Sequence, residues 1–320
     1  MKENYTGMKK YALILIVLFA GLQLKAQQMP LRSQYMLDYF TLNPAVAGSF
    51  DYTPINLSVR QQWVGFEGAP ASQSITAHTY IGSNVGLGAA FFNEIAGPSR
   101  RTGMSVSFAY HLPLSKDFSR KLSFGLSPVF YQHSINTEML TTDQEGDPVI
   151  ENGFETKLSP DANFGVMFSE KDTYFVGLSV FNLLELRTDL FQDMDDNNNP
   201  VKRTFYLTGG YTFELSDLFK LQPSAHMQYQ MNAPFQGEGA IRGIYKDMIG
   251  LGVSYRYQDA LAYLLSVDLG KIRIGYSYDM TMSNLKNYSS GSHEFHVTYR
   301  ITGDNKSKSP SNQGNTPMFY

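Results

Sequence analysis

The residues with the most chemical capacity in this 320-residue chain are its six histidines and a few spaced acidic groups. "HEFH" at 293–296 sets His293, Glu294 and His296 within four residues, the types that hold zinc. The helical zinc motif is His-Glu-x-x-His, which puts both imidazoles on one face. Here the stretch has strand periodicity, so His293 and His296 face opposite sides and one ion does not easily collect both. "DMDDNNNP" at 193–200 places Asp193, Asp195, Asn197 and Asn199 at alternate positions, as a calcium loop does. It lacks the central glycine, and Thr204 stands where the bidentate glutamate belongs. It reads as a solvated loop. His78, His111, His133 and His226 are scattered, with no G-x-S-x-G serine motif to form a triad. "GLG" at 86–88 is no nucleotide loop; in a strand such glycines let a barrel bend or let another backbone come close. The expectation is a protein that is not an enzyme and uses no cofactor or metal.

What positions these residues is an alternation that runs almost the length of the chain. In "KIRIGYSYDM" (271–280), Ile272, Ile274, Tyr276 and Tyr278 point one way, while Arg273, Gly275, Ser277 and Asp279 point the other. "MSVSFAYHL" opposes Met104, Val106, Phe108, Tyr110 and Leu112 to Ser105, Ser107, Ala109 and His111. About fourteen such segments are legible, near 54–63, 72–81, 85–94, 101–112, 120–131, 160–169, 173–183, 203–213, 218–230, 237–246, 248–258, 261–269, 271–280 and 292–301. Period-2 runs of about ten residues between turn residues are the signature of membrane-spanning barrel strands. A soluble sandwich alternates too, but its strands average about five or six residues. Connections after odd segments read long (64–71, 95–100, 132–159, 184–202, 231–236, 281–291), except the tight "YQDA" turn at Asp259, and those after even segments short, as in outer-membrane barrels. The expected fold is therefore all-β: a transmembrane antiparallel β-barrel over 54–302, integral to the bacterial outer membrane, with lipid against its Ile/Val/Phe/Tyr face. An even strand number puts both termini in the periplasm. The enclosed face would carry a polar cluster of Arg60, Arg256, Asp268, Arg273, Asp279, Glu294, His296 and Arg300, together with His78. Mixed signs at that density point to cross-strand ion pairs or a filled interior.

The ends read differently. Lys9 and Lys10 precede an apolar run, Ala12 to Leu22, and Ala26 precedes the expected cut, so 1–26 is a signal peptide. The run is too short for a membrane anchor. With no cysteine, lipid attachment, disulfides and thiolate metal sites are excluded. Removing that peptide leaves 22 basic and 28 acidic side chains, a balance that gives a nucleic acid no basic surface. Residues 27–53 form an aromatic, Pro/Gly-punctuated lead-in. So aromatic a segment outside a strand must bury somewhere, and it is expected to wedge into the periplasmic mouth as a plug. Tyr35, Tyr39, Phe40, Asn43 and Pro44, with Trp63 at the end of the first strand, are its candidate plug or partner-binding residues. Trp63 suits the lipid headgroup level equally well. Residues 303–320 read as a flexible periplasmic tail, with Phe319 and Tyr320 well past the last strand. The long loops carry Asp143, Glu145, Asp147, Asp193, Asp195 and Asp196 and are the candidate extracellular binding face.

Several pieces together resemble one family. "SQYM" (33–36), "LNPAVAGS" (42–49), Arg60-x-Gln62-Trp63 and "GAP" (68–70) are similar to the N-terminal signature of the PorP/SprF family. "GYSYD" (275–279) and "SHEF" (292–295) match its C-terminal signature, in the same order and spacing; Val46, where an aromatic is expected, departs from it. The resemblance implies an outer-membrane barrel of Bacteroidota associated with the type IX secretion system. It implies two kinds of member: a component working with the secretion and gliding machinery, and accessory paralogues. The accessory kind help a secreted surface protein or adhesin with a C-terminal sorting domain to reach or stay on the cell surface. The partners implied are that protein, other secretion components and outer-membrane lipid. A transporter of small or hydrophobic solutes, porin-like or FadL-like, is the competing class.

Overall fold

The computed structural model describes residues 32–117, 119–139, 154–171, 173–185, 201–231 and 233–302. The signal-peptide reading, the tail at 303–320 and all six acidic residues of the two longest connections lie outside the described residues.

The strands are β1 (Thr53–Gln61), β2 (Ala71–Gly82), β3 (Val85–Ala96), β4 (Ser99–Pro113), β5 (Arg120–Asn136), β6 (Phe154–Glu170) and β7 (Tyr174–Phe181) in the first half. The second half adds β8 (Thr204–Tyr211), β9 (Phe213–Ser216), β10 (Phe219–Gln230), β11 (Gln236–Tyr245), β12 (Ile249–Arg256), β13 (Ala260–Asp268), β14 (Ile272–Thr281) and β15 (Ser292–Ile301). Sequence neighbours pair antiparallel except β8 and β9, which both pair with β10; β10 also pairs with β11 and β1 with β15, so the sheet closes on itself. β8 and β9 form a single stave broken at Thr212, since both pair with β10. The result is a closed antiparallel barrel of 14 staves.

Closure follows from the alternation. Val106 is 61% exposed, while Ser107 beside it is 2% exposed. The outward face carries large apolar side chains around the whole circumference, among them Leu57, Phe91, Leu178, Leu251, Ile274 and Phe295. A water-facing surface of that extent is far larger than soluble proteins tolerate, whereas acyl chains suit it. Hydrocarbon offers no hydrogen bonds to a free strand edge, and a ring leaves none. Among the described residues no helix is long and apolar enough to cross a membrane; this chain crosses with strands.

Three details differ from the sequence reading. The connection expected at 95–100 is only the Gly97–Pro98 pair, because β3 runs on to Ala96 and Gly97 adopts φ +56°. On the opposite rim, 114–119 is longer than its neighbours, and Asp117 accepts a bond there from the Ser119 hydroxyl at 2.9 Å. β5 and β6 continue through 17 residues each, Asn136 opposite Phe154, so much of the expected 132–159 loop is strand. The connections 62–70, 140–153, 182–203 and 282–291 still share one rim, which keeps most of the asymmetry.

Candidate functional site inside the barrel

Residues 33–50 lie within the barrel, against its polar face. The local fold is a string of 3-10 turns, Tyr35–Leu37, Tyr39–Thr41 and Pro44–Val46. Asn43 starts the last turn: its Oδ1 accepts from the Ala45 N–H at 2.9 Å, and Pro44 behind it has its φ already set for a helical turn. Asn43 Nδ2 donates to the Val166 carbonyl at 3.1 Å, which ties the turn to β6.

Glycines on the inward face make room for it. A Cβ on Gly125 would run into Pro44 and Ala45, on Gly165 into Asn43, on Gly275 into Gln34 and Leu37, and on Gly88 into Phe40. Gly86 meets Ala47 and Gly48, and Gly48 itself sits at φ +71° with its Cα side turned to Gly86. Two backbones approach here as only glycine permits. Of the two readings open for "GLG", close backbone approach is the one these contacts display. Aromatic rings fill the remainder. Tyr39 packs edge-on against Phe175 at 4.7 Å, Tyr35 against His226 at 5.3 Å, and Phe40 and Phe50 flank His78 at 5.1 and 5.0 Å.

The polar cluster expected from sequence divides in two. Near the rim of the longer connections, Arg60 bonds Asp279 at 2.8 Å and Glu294 at 3.3 Å, and Arg256 bonds Glu238 at 2.8 Å, Asp259 at 3.0 Å and Asp279 at 3.3 Å. Ser33 sits at their centre. Its hydroxyl donates to Asp279 at 2.6 Å and accepts from Arg60 and Arg256 at 3.0 and 2.9 Å, and its N–H donates to Glu294 at 2.8 Å. Near the other rim, Asp268 is shared by Arg273, at 3.0 Å, and Arg300, whose guanidinium also lies 5.2 Å over the Tyr52 ring. His296 belongs to neither group; its Nε2 bonds Thr298 at 3.1 Å, and Thr298 donates to Asn56 at 2.8 Å.

The segment therefore runs from one rim to the other, where the sequence reading expected it to wedge into a single mouth. Ser33 is held at the rim of the long connections. At the opposite rim, Ala47 and Ser49 offer carbonyls to His111 at 2.9 Å and Lys121 at 3.2 Å, and Tyr52 leads into β1. Midway, Asp38 accepts from the Thr76 hydroxyl at 2.8 Å.

Tyr35, Tyr39, Phe40, Asn43 and Pro44 thus lie together inside the barrel. Trp63 does not join them. β1 ends at Gln61, and Trp63 lies beyond it in the connection at φ +46°, its N–H bonded to Ser292 Oγ at 3.1 Å. His293 faces away from His296 and bonds the Tyr276 hydroxyl at 2.7 Å. Among the described residues no three His, Asp or Glu side chains stand together as metal ligands would. Ser33, Glu238, Asp259 and Asp38 were not foreseen. Ser33 lies in a stretch without periodicity, so nothing in the sequence marks it as the centre of a charge network. Glu238 was legible in principle, since it alternates onto the same face of β11 as Arg242.

The arrangement holds a peptide by backbone fit and buried ion pairs. Solved structures similar to this chain include a Pseudomonas aeruginosa FadL homologue (10% identity, 86% of this chain and 95% of that one, TM-score 0.47) and the CymD monoaromatic hydrocarbon channel (12%, 89% and 96%, 0.48). Omp33 of Acinetobacter baumannii is similar at 6% identity over 78% of this chain and 98% of its own, TM-score 0.46. No curated protein matches the chain. The model of one family, described as type IX secretion system membrane protein PorP/SprF, matches residues 24–299. Covering the barrel and the segment within it, that match makes this chain a member of the PorP/SprF family of type IX secretion outer-membrane barrels.

Proposed function

We propose that this protein is an accessory barrel of the type IX system. It helps one surface protein with a C-terminal sorting domain to reach or stay on the cell surface, and residues 33–50 act as its plug. The observation that carries the plug is the fit of that segment to five inward glycines and to the Ser33 ion-pair network. A barrel so filled offers solutes no wide passage, which favours a role in handling protein at its rim over one in diffusion. Recognition is assigned to the rim that carries connections 62–70 and 282–291 and holds Ser33, and the opposite rim, where β1 starts and β15 ends, is assigned to the periplasm. The chemistry is binding, without a catalytic step.

Deleting the gene and following surface display tests this. One sorting-domain protein should disappear from the surface while others are still exported. Equal loss of every such protein would place the chain in the core machinery, and no loss at all contradicts the proposal.

A further inference from the structure

On the long-connection side of the inner segment lies a cavity of about 100 Å³. Its floor is Tyr35, Phe40 and Leu42, and its wall includes Phe92, Tyr131 and Tyr206. Volume and lining define what fits. An apolar cavity of roughly 150 Å³ takes up benzene, so this smaller space, open on one side and lined by serines as well as aromatic rings, seats one six-membered ring at most. Its three guanidinium groups are already engaged: Arg101 pairs with Glu94 at 2.6 Å, stacking on Phe92 and Tyr131, Arg256 pairs with Glu238, and Arg32 donates to the Ser74 hydroxyl at 2.8 Å. The occupant is accordingly neutral.

It also carries a polar atom. His226 and Glu238 stand directly opposite one another on β10 and β11, both line the cavity, and both are more than nine-tenths buried. Among the described residues His226 Nε2 and Glu238 Oε1 have no hydrogen-bond partner of good geometry, the Ser254 hydroxyl standing beside Glu238. Cross-strand partners hold their Cβ atoms about 5 Å apart, so one hydroxyl reaches both. A hydroxyl both donates and accepts, which serves a carboxylate oxygen and an imidazole together.

From these features we infer that the cavity binds a single neutral aromatic ring bearing a hydroxyl, the phenol class. The ring lies on the Tyr35–Phe40 floor and its hydroxyl points at His226 and Glu238. The same chemistry is offered by a free phenol or by the tyrosine side chain of a polypeptide entering from the long-connection rim. The inference goes beyond the secretion role and stands on the cavity alone.

The experiment is calorimetric titration of the detergent-purified full barrel with p-cresol, toluene and N-acetyltyrosinamide. p-Cresol should bind saturably, about tenfold more tightly than toluene, the worth of one buried hydrogen bond. His226→Phe keeps a ring in place but removes the imidazole N–H, and should diminish that preference, Glu238 remaining to accept from the hydroxyl. Ala90→Phe, on the cavity wall, should abolish binding of both. N-Acetyltyrosinamide binding at least as tightly as p-cresol identifies a polypeptide side chain as the occupant, and its exclusion identifies a free phenol. Absence of saturable p-cresol binding, or an undiminished p-cresol preference in His226→Phe, overturns the inference.

Discussion

At Gly125 the residue type is dictated by neighbours some eighty positions away in sequence, because Pro44 and Ala45 occupy the space a Cβ needs. Gly125→Val should therefore cost about 1–3 kcal/mol, the usual penalty of overpacking a fitted site. Gly239 is the control. A Cβ there meets nothing within 4 Å, so Gly239→Ala should change stability by less than about 0.5 kcal/mol. The heat-shifted gel migration of the detergent-solubilised barrel measures both.

Among elements, what the sequence exposes is whatever repeats. All fourteen alternating segments reappear as staves, most within two residues at each end, since every second residue of each must satisfy lipid or a polar interior. Turn detail was less visible. The Gly97–Pro98 hairpin and the break at Thr212 depend on local backbone conformation, which does not disturb the period. The extension of β5 and β6 depends on their pairing with each other, a non-local fact. The lead-in was legible by its aromatic content, and its glycine seats only in part: "GLG" drew notice, whereas Gly125, Gly165 and Gly275 look like any strand glycine until Asn43, Pro44 and Gln34 arrive beside them. Orientation of the faces makes its own prediction. Leu251, 61% exposed, faces lipid, so Leu251→Arg should cost about 2–4 kcal/mol in folding into vesicles if it lies near the midplane. Asn287→Arg, in the exposed connection 282–291, should cost nothing measurable.

For the whole molecule, a closed sheet encloses a folded peptide that enters near one rim and leaves at the other to become β1. Buried ion pairs at the first rim and backbone fit at the second hold it at both ends. Because the chain has no cysteine, single-cysteine variants report sidedness without background. Asn287→Cys should react with an impermeant maleimide on intact cells, and Lys116→Cys only after permeabilisation; the reverse pattern would invert the orientation. The occupied interior is the claim on which the rest depends, and planar-bilayer conductance tests it most directly. The full barrel should pass little steady current, and deletion of 27–50 should open a larger, stable conductance. An unchanged conductance after that deletion would contradict the account.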